Sequence, residues 1–277
     1  MCRHLAYLGP PVALRSVLID PPFGLYRQSW APRMQEHGTV NADGFGVGWY
    51  ADGDPVPARY RRAVPIWGDT SLPDLARVTR SAAVLAAVRS ATPGTSAGEE
   101  AAAPFGADRW LFSHNGVLEG WRDLAERGTV QGCGSSIFSL EALVDSAYLW
   151  TLVLARLRAG DRQDAALAAS IAEVEAADGA GRFNFLLTDG RSIAATACGD
   201  TLWYLVRDGG VTVASEPSDD GPGWTRVADR HVLTATPSRV SVEPLASPPT
   251  EDHPRSPTFT DSTFLDRVVR TEGTIAR

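Results

Sequence analysis

The chain opens with MCRHLAYLGP, residues 1–10, in which a cysteine directly follows the initiator methionine. From Arg3 to Leu8 the odd-numbered side chains would lie on one face of a strand and the even-numbered ones on the other. The Gly-Pro-Pro at residues 9–11 predicts the end of that strand. If Met1 is removed, the sulfur of Cys2 lies beside its own α-amine. An unperturbed α-amine has a pKa of about 7.7–8.0, so it can activate a thiol nucleophile near neutral pH. The alternative is a thiol that only fills a buried strand position.

The composition predicts a packed acidic protein, since 44% of the 277 residues are hydrophobic and the formal net charge is −7. This length allows one or two domains of about 150 residues. The negative charge argues against a general nucleic-acid binder, which needs a basic surface. No apolar run reaches the roughly 18 residues of a membrane span, and the N-terminus lacks a signal-peptide pattern. We therefore predict a cytoplasmic protein with no membrane or nucleic-acid partner.

Three cysteines, Cys2, Cys133 and Cys198, lie far apart and form no CxxC pair. This spacing argues against a zinc site or a disulfide framework. Cys133 and Cys198 are expected to be small, partly buried side chains. The sequence predicts neither a metal site nor a cofactor.

The first half of the chain is rich in predicted strands. AAVLAAVRSAT, residues 82–92, is an apolar run typical of a buried strand, and the stretch around Asp52-Gly53 is expected to form a hairpin. RWLFSHNG, residues 109–116, is expected to be a strand that ends in an Asn-Gly turn.

Two amphipathic helices are predicted next, from SLEALVDSAYLWTLVLARLRAG at residues 139–160 and DRQDAALAASIAEVEAADG at residues 161–179. Further strands follow, separated by Asp-Gly and Gly-Gly turns. This order of elements along the chain, with strands first, then helices, then strands again, favours two antiparallel sheets with helices packed outside them. We place one catalytic domain at residues 2–246. Residues 247–277, rich in Pro, Ser, Thr and Asp, are predicted to be a disordered tail.

SHNG, residues 113–116, is a candidate oxyanion-binding motif. The side-chain amide of Asn115 and the backbone N–H of Gly116 can both point at one developing oxyanion. The alternative is an ordinary Asn-Gly hairpin turn, which is a common use of this pair.

Two charged residues are candidates for holding an amino-acid head group. Arg89 begins RSATPG, residues 89–94, at the end of a predicted strand, where a guanidinium suits a carboxylate. Asp145 lies near the start of a predicted helix and could receive an ammonium group. The alternatives are a structural salt bridge for Arg89 and complementation of the helix N-terminus for Asp145.

The N-terminal cysteine, NADGFG (41–46), RSATPG, SHNG and VDS (144–146) occur in one specific order. In that order the chain resembles the class II glutamine amidotransferases, which belong to the N-terminal-nucleophile hydrolases. The resemblance implies an α+β fold, a four-layer αββα sandwich of two antiparallel sheets flanked by helices. It also implies cleavage of a γ-glutamyl amide in a small-molecule substrate, through a thioester on Cys2 with the Cys2 α-amine as general base.

Matching the family motifs one by one, the resemblance implies roles for eight residues of this chain. Cys2 would be the nucleophile, with Asn115 and Gly116 as the oxyanion hole. Arg89 would hold the α-carboxylate and Asp145 the α-ammonium of the glutamyl group. The remaining substrate-binding positions would be Thr92, Asp43 and Gly44.

The amidohydrolase part accounts for almost the whole chain, and no P-loop or dinucleotide fingerprint follows it. MCRHLAYLG, PIWGD (65–69) and ASEPSDDGPGW (214–224) resemble the stand-alone branch of the family that acts in ergothioneine biosynthesis. That branch implies removal of glutamate from a γ-glutamyl-hercynylcysteine sulfoxide. Two alternatives are a glutaminase subunit that supplies ammonia to a separate synthase, and a γ-glutamyl hydrolase of another small-molecule pathway.

The hercynyl group carries a quaternary ammonium, which binds well to aromatic faces. Trp30, Trp67 and Trp224 lie in loop-like segments and are candidates for that contact. The alternative for each is ordinary packing.

Overall fold

Two antiparallel sheets form the centre of the protein. The structure is a computed structural model that describes residues 2–92, 94–127 and 140–246. Cys133 and the predicted tail at residues 247–277 lie outside these ranges. Among the described helices, none is long and apolar enough to cross a membrane.

The first sheet, sheet A, carries the N-terminus. Its strands are β1 (Cys2–Ala13), β2 (Phe45–Trp49), β3 (Ala58–Arg62), β4 (Arg80–Arg89), β9 (Trp203–Arg207), β10 (Gly210–Ala214) and β11 (Thr225–Arg226). They lie in the order β11-β9-β10-β1-β4-β2-β3. The predicted hairpin around Asp52-Gly53 is confirmed, because β2 and β3 pair antiparallel. The predicted end of β1 at Gly9 is wrong: the register shifts after Leu8 and the pairing with β4 then continues to Ala13.

The second sheet, sheet B, is formed by the later strands. Its strands are β5 (Phe105–Ala107), β6 (Trp110–Leu118), β7 (Gly181–Thr188), β8 (Ile193–Ala197), β12 (His231–Thr236) and β13 (Arg239–Pro244). They lie in the order β13-β12-β8-β7-β6-β5.

The Asn-Gly turn predicted at the end of RWLFSHNG is wrong. Strand β6 runs on to Leu118, with Asn115 opposite Asn184 and Gly116 opposite Phe183 in β7. The two residues are therefore part of a paired strand, and the pairing with β7 overrides the local turn preference.

Helices cover the outer face of each sheet. They are α1 (Leu14–Leu18), α2 (Leu25–Gln28), α3 (Leu72–Val78), α4 (Trp121–Arg127), α5 (Asp145–Ala159) and α6 (Gln163–Ala176). The two predicted long helices are confirmed as α5 and α6, but α5 begins at Asp145 rather than near Leu140. Val144 is extended, with φ −138° and ψ 151°, and serves as the N-cap, so Leu140 and Leu143 precede the helix.

Three apolar clusters separate the four layers. Helices α1 to α3 pack on sheet A through residues such as Leu14, Leu25 and Leu72. Residues of both sheets, among them Leu85 and Leu186, fill the space between the sheets. Helices α5 and α6 pack on sheet B. This arrangement confirms the predicted αββα sandwich.

Candidate active site

Cys2 lies where the two sheets meet. It is the first residue of β1, directly opposite Arg89 at the end of β4. Its backbone nitrogen crosses to sheet B and donates to Oδ1 of Asn115 at 3.1 Å. The Cys2 side chain is partly exposed and lines a small cavity. The fold therefore brings two motifs that lie far apart in sequence, the N-terminal cysteine and SHNG, into contact.

Asn115 carries a buried hydrogen-bond donor with no partner. The residue is fully buried, and its Oδ1 accepts from Cys2, which assigns the Nδ2 group to the opposite side of the amide. Nδ2 makes no hydrogen bond in the part of the chain that the structure describes. A buried, unpaired amide donor destabilises the resting protein by about 1–3 kcal/mol. Such a donor beside a nucleophile is what stabilisation of an oxyanion requires.

Gly116 meets a steric requirement of β6. Its φ is +155°, and a Cβ there would overlap the carbonyl oxygen of Arg182 on the neighbouring strand. A side chain at this position would therefore displace β6 beside the nucleophile. Gly116 also lines the cavity that contains Cys2.

Arg89 is nearly buried, with 7% of its surface exposed. Its Nη2 donates to the carbonyl oxygen of Ser96 at 2.7 Å and to Oγ1 of Thr95 at 3.2 Å. Its Nη1 donates to the carbonyl oxygen of Asp43 at 3.4 Å. Among the described residues, Arg89 forms no ion pair with a carboxylate, although its charge helps to lower the pKa of Glu100.

Asp43 and Gly44 lie behind Arg89. Arg89 donates its backbone N–H to the carbonyl oxygen of Gly44 at 2.8 Å and accepts from the N–H of Asp43 at 2.9 Å. The Asp43 carboxylate accepts from the N–H of Ala91 at 2.7 Å. Gly44 has φ +136°, and a Cβ there would lie 2.9 Å from the carbonyl oxygen of Arg62. Both residues thus hold Arg89 and the loop after it in place, whereas neither lines the cavity around Cys2.

Asp145 is the first residue of α5. Its Oδ2 accepts from the N–H of Leu118 at 2.9 Å, and its Oδ1 accepts from the N–H of Ser146 at 2.8 Å. The carboxylate therefore joins α5 to the end of β6, and each oxygen keeps lone-pair capacity for a further donor. As the first residue of α5, it also lies near the positive end of the helix dipole.

One cavity collects five of the eight predicted residues: Cys2, Arg89, Thr92, Gly116 and Asp145. Its volume is about 30 Å³, which is room for roughly one or two water molecules. Thr95, together with Thr92, lines the side that faces Arg89.

Two buried histidines were missed by the sequence reasoning. Burial, helped by the positive charge of Arg3, lowers the pKa of His4 to about 3. Burial also lowers the pKa of His114, against the opposing influence of Asp145. Both rings are therefore neutral at ordinary pH. His114 lines the cavity and contacts Ser146 of α5, a pairing that only the folded chain reveals.

The three candidate tryptophans are distributed between two environments. Trp30 and Trp67 meet edge to face with centroids 5.7 Å apart, and Trp67 is 40% exposed. The Trp224 indole instead donates to Asp219 at 3.2 Å. A contact of Trp30 and Trp67 with a quaternary ammonium stays a prediction.

Comparison with known proteins gives consistent matches. The family model for class-II glutamine amidotransferases matches residues 16–220. A gamma-glutamyl-hercynylcysteine sulfoxide hydrolase of Mycolicibacterium smegmatis is 44% identical over 245 residues, covering 88% of this chain and 100% of the relative.

Solved structures match as well. A glutamine aminotransferase class-II domain protein from Silicibacter pomeroyi is 25% identical, with a TM-score of 0.65 over 89% of this chain and 100% of the other. The glutamine phosphoribosylpyrophosphate amidotransferase of B. subtilis is 18% identical, with a TM-score of 0.62 over 88% of this chain and 49% of its own. The latter likeness concerns the fold alone.

Proposed function

The chain belongs to the class II glutamine amidotransferases, and from this premise we propose that it is a hydrolase that removes glutamate from a γ-glutamyl conjugate. The proposed substrate is γ-glutamyl-hercynylcysteine sulfoxide, the compound named for the Mycolicibacterium smegmatis relative. The observation that carries the proposal is the buried Nδ2 of Asn115 beside Cys2, which has no hydrogen-bond partner among the described residues.

In the first half of the proposed reaction, the sulfur of Cys2 attacks the γ-carbonyl carbon. After removal of Met1, the α-amine of Cys2 takes the thiol proton as general base. Negative charge develops on the carbonyl oxygen, where Nδ2 of Asn115 and the N–H of Gly116 receive it. The contact of the Cys2 nitrogen with Oδ1 of Asn115 supports this geometry, because it turns the donor end of the amide away from the base.

Collapse of the tetrahedral intermediate breaks the C–N bond. The protonated α-amine returns its proton to the departing nitrogen, and a thioester between glutamate and Cys2 remains. Water then attacks the thioester, with the same amine taking the proton of the water. Glutamate leaves, and the proton returns to the thiolate, so that the enzyme is regenerated.

Arg89 and Asp145 are proposed to hold the two charges of the glutamyl head group. Ser96 and Thr95 offer neutral oxygens to Nη2 of Arg89 in the resting protein. An α-carboxylate would replace them with a charge-assisted pair, which is about twice as strong as a neutral hydrogen bond. Asp145, with lone pairs left on both oxygens, would accept the protons of the α-ammonium.

The test is release of glutamate by purified protein from the γ-glutamyl conjugate and from free glutamine. We expect the conjugate to be the better substrate, and Cys2→Ala to abolish turnover. Cys198→Ala is the matched control, because Cys198 is buried against the helices of sheet B, and it should retain activity. A preference for free glutamine would assign the protein to ammonia supply. Turnover by Cys2→Ala would refute the proposed nucleophile.

A further inference from the structure

His114 takes part in a chain of contacts that leads from sheet B to the carboxylate of Asp145. Its Nε2 lies 2.8 Å from the carbonyl oxygen of Arg182, and its Nδ1 lies 3.0 Å from Oγ of Ser146. A carbonyl oxygen only accepts, so the ring proton must be on Nε2. Nδ1 of the neutral ring is therefore an acceptor, and the Ser146 hydroxyl donates to it.

The direction of that hydroxyl matters because Ser146 has two possible acceptors. Its Oγ is 3.0 Å from His114 and also 3.3 Å from Oδ1 of Asp145. A hydroxyl has one proton to donate. Since the shorter contact is with the imidazole, the proton is used there and Oδ1 of Asp145 does not receive it.

The hydrogen bonds that the Asp145 carboxylate accepts follow from the direction of the Ser146 hydroxyl. That carboxylate accepts one backbone N–H on each oxygen, from Leu118 and Ser146. Apart from the Ser146 hydroxyl, no side chain among the described residues donates to it. A hydroxyl proton on Oδ1 would fill an acceptor position that an incoming donor could otherwise use. All three side chains, His114, Asp145 and Ser146, line the cavity that contains Cys2.

We propose that His114 is a positioning residue for substrate recognition: by taking the hydroxyl proton of Ser146, it leaves Asp145 free to bind the α-ammonium of the glutamyl group. The inference rests on the proposed function, since that function supplies the ammonium. It gives the buried histidine of SHNG a role separate from that of Asn115.

The experiment compares two substrates that differ only in the ammonium group, a γ-glutamyl amide and the corresponding glutaryl amide. The ratio of their kcat/KM values measures ammonium recognition. In wild type we expect the γ-glutamyl amide to be favoured by at least about tenfold, the size of one hydrogen bond to a charged group. In His114→Phe the ring is kept but both ring nitrogens are lost, so the Ser146 hydroxyl has only Asp145 left of its two acceptors and turns to it. The ratio should then fall by about tenfold.

The decisive variant is the double change His114→Phe with Ser146→Ala. Removing the hydroxyl takes away the competing donor, so the ratio should return toward the wild-type value. Ser146→Ala alone should also stay near that value. A histidine with a merely structural role would not be rescued by a second truncation.

Ser113→Ala is the matched control. Ser113 pairs with the other buried imidazole, that of His4, at 3.1 Å, and has no contact with Asp145 among the described residues. Its ratio should equal that of wild type. If His114→Phe leaves the ratio unchanged, or if the double variant is no better than the single one, the proposal is wrong.

A measurement on wild type keeps the proposal testable if His114→Phe does not fold. The nitrogen chemical shifts of the His114 ring report which nitrogen carries the proton. An unprotonated Nδ1 is expected, and a proton on Nδ1 would overturn the proposal. Failure of the proposed function looks different: wild type would then cleave neither amide, or would cleave both equally well.

Discussion

Replacing Asn115 by Ala should separate activity from stability. In the resting protein this side chain accepts one hydrogen bond, from the Cys2 nitrogen, and its buried Nδ2 finds no partner in the part of the chain that the structure describes. Truncation loses a bond worth about 0.5–1.5 kcal/mol, but it also removes an unpaired donor that costs about 1–3 kcal/mol. These effects nearly cancel, apart from a small cavity, so the free energy of unfolding should change by about 1 kcal/mol or less.

The effect on catalysis should be large, because Nδ2 gains its partner only when the oxyanion forms. Loss of one oxyanion donor lowers kcat by about 10²–10³, equivalent to about 2.7–4 kcal/mol. KM for the γ-glutamyl substrate should stay near its wild-type value. Steady-state release of glutamate and urea unfolding of the same preparation measure the two quantities.

Asn184→Ala is the matched control, since Asn184 is also fully buried and lies directly opposite Asn115 in β7. Its side chain makes four hydrogen bonds, to Cys198, Thr201 and twice to Asp200. At about 0.5–1.5 kcal/mol each, their loss should destabilise the protein by about 2–6 kcal/mol. The two variants should therefore show opposite profiles. If Asn115→Ala retains wild-type kcat, or loses as much stability as Asn184→Ala, the assignment of Nδ2 to the oxyanion is refuted.

Three further predictions follow from the site and the buried rings. Active protein should have an intact mass lower by one methionine, because the α-amine of Cys2 is the proposed base; homogeneous active protein that retains Met1 would contradict this. Arg89→Lys and Asp145→Asn should each lower kcat/KM for the γ-glutamyl conjugate by at least about tenfold, because lysine lacks the bidentate fork and asparagine lacks the charge. Wild-type kinetics in both variants would remove these residues from the head-group site. Because burial holds the pKa of His4 at about 3, the unfolded chain binds a proton below about pH 6.5 that the folded chain does not. Stability should thus fall as the pH drops from 6.5 towards 3, by up to about 1.4 kcal/mol per pH unit, and urea unfolding of His4→Asn should show a shallower slope than wild type.

The sequence by itself was enough to predict the family and the residues proposed for the reaction. Cys2 directly after Met1, with RSATPG and SHNG downstream, carried the family resemblance that implied the sandwich and the γ-glutamyl chemistry. The strands and helices were predictable from neighbouring residues, because strand alternation and helix periodicity depend on spacing along the chain. The long helices α5 and α6 were predictable for the same reason.

Only the tertiary structure decided what each motif does locally. Asn115-Gly116 has the signature of a hairpin turn, and it is the pairing with Asn184 and Phe183 that makes it a strand. Likewise, α5 begins at Asp145 rather than at Leu140, where the apolar stripe begins.

The hydrogen bonds within the candidate site join residues that are even farther apart in the sequence. Cys2 and Asn115 are 113 residues apart in sequence, and His114 and Ser146 are 32 apart. A hydrogen bond depends on the distance and direction of two groups in space, and the backbone between them leaves no periodic trace of that pairing. The type of reaction could therefore be predicted from the sequence. The exposure of the Asn115 donor to the site and the direction in which Ser146 donates its proton depend on how the sheets and helix α5 pack.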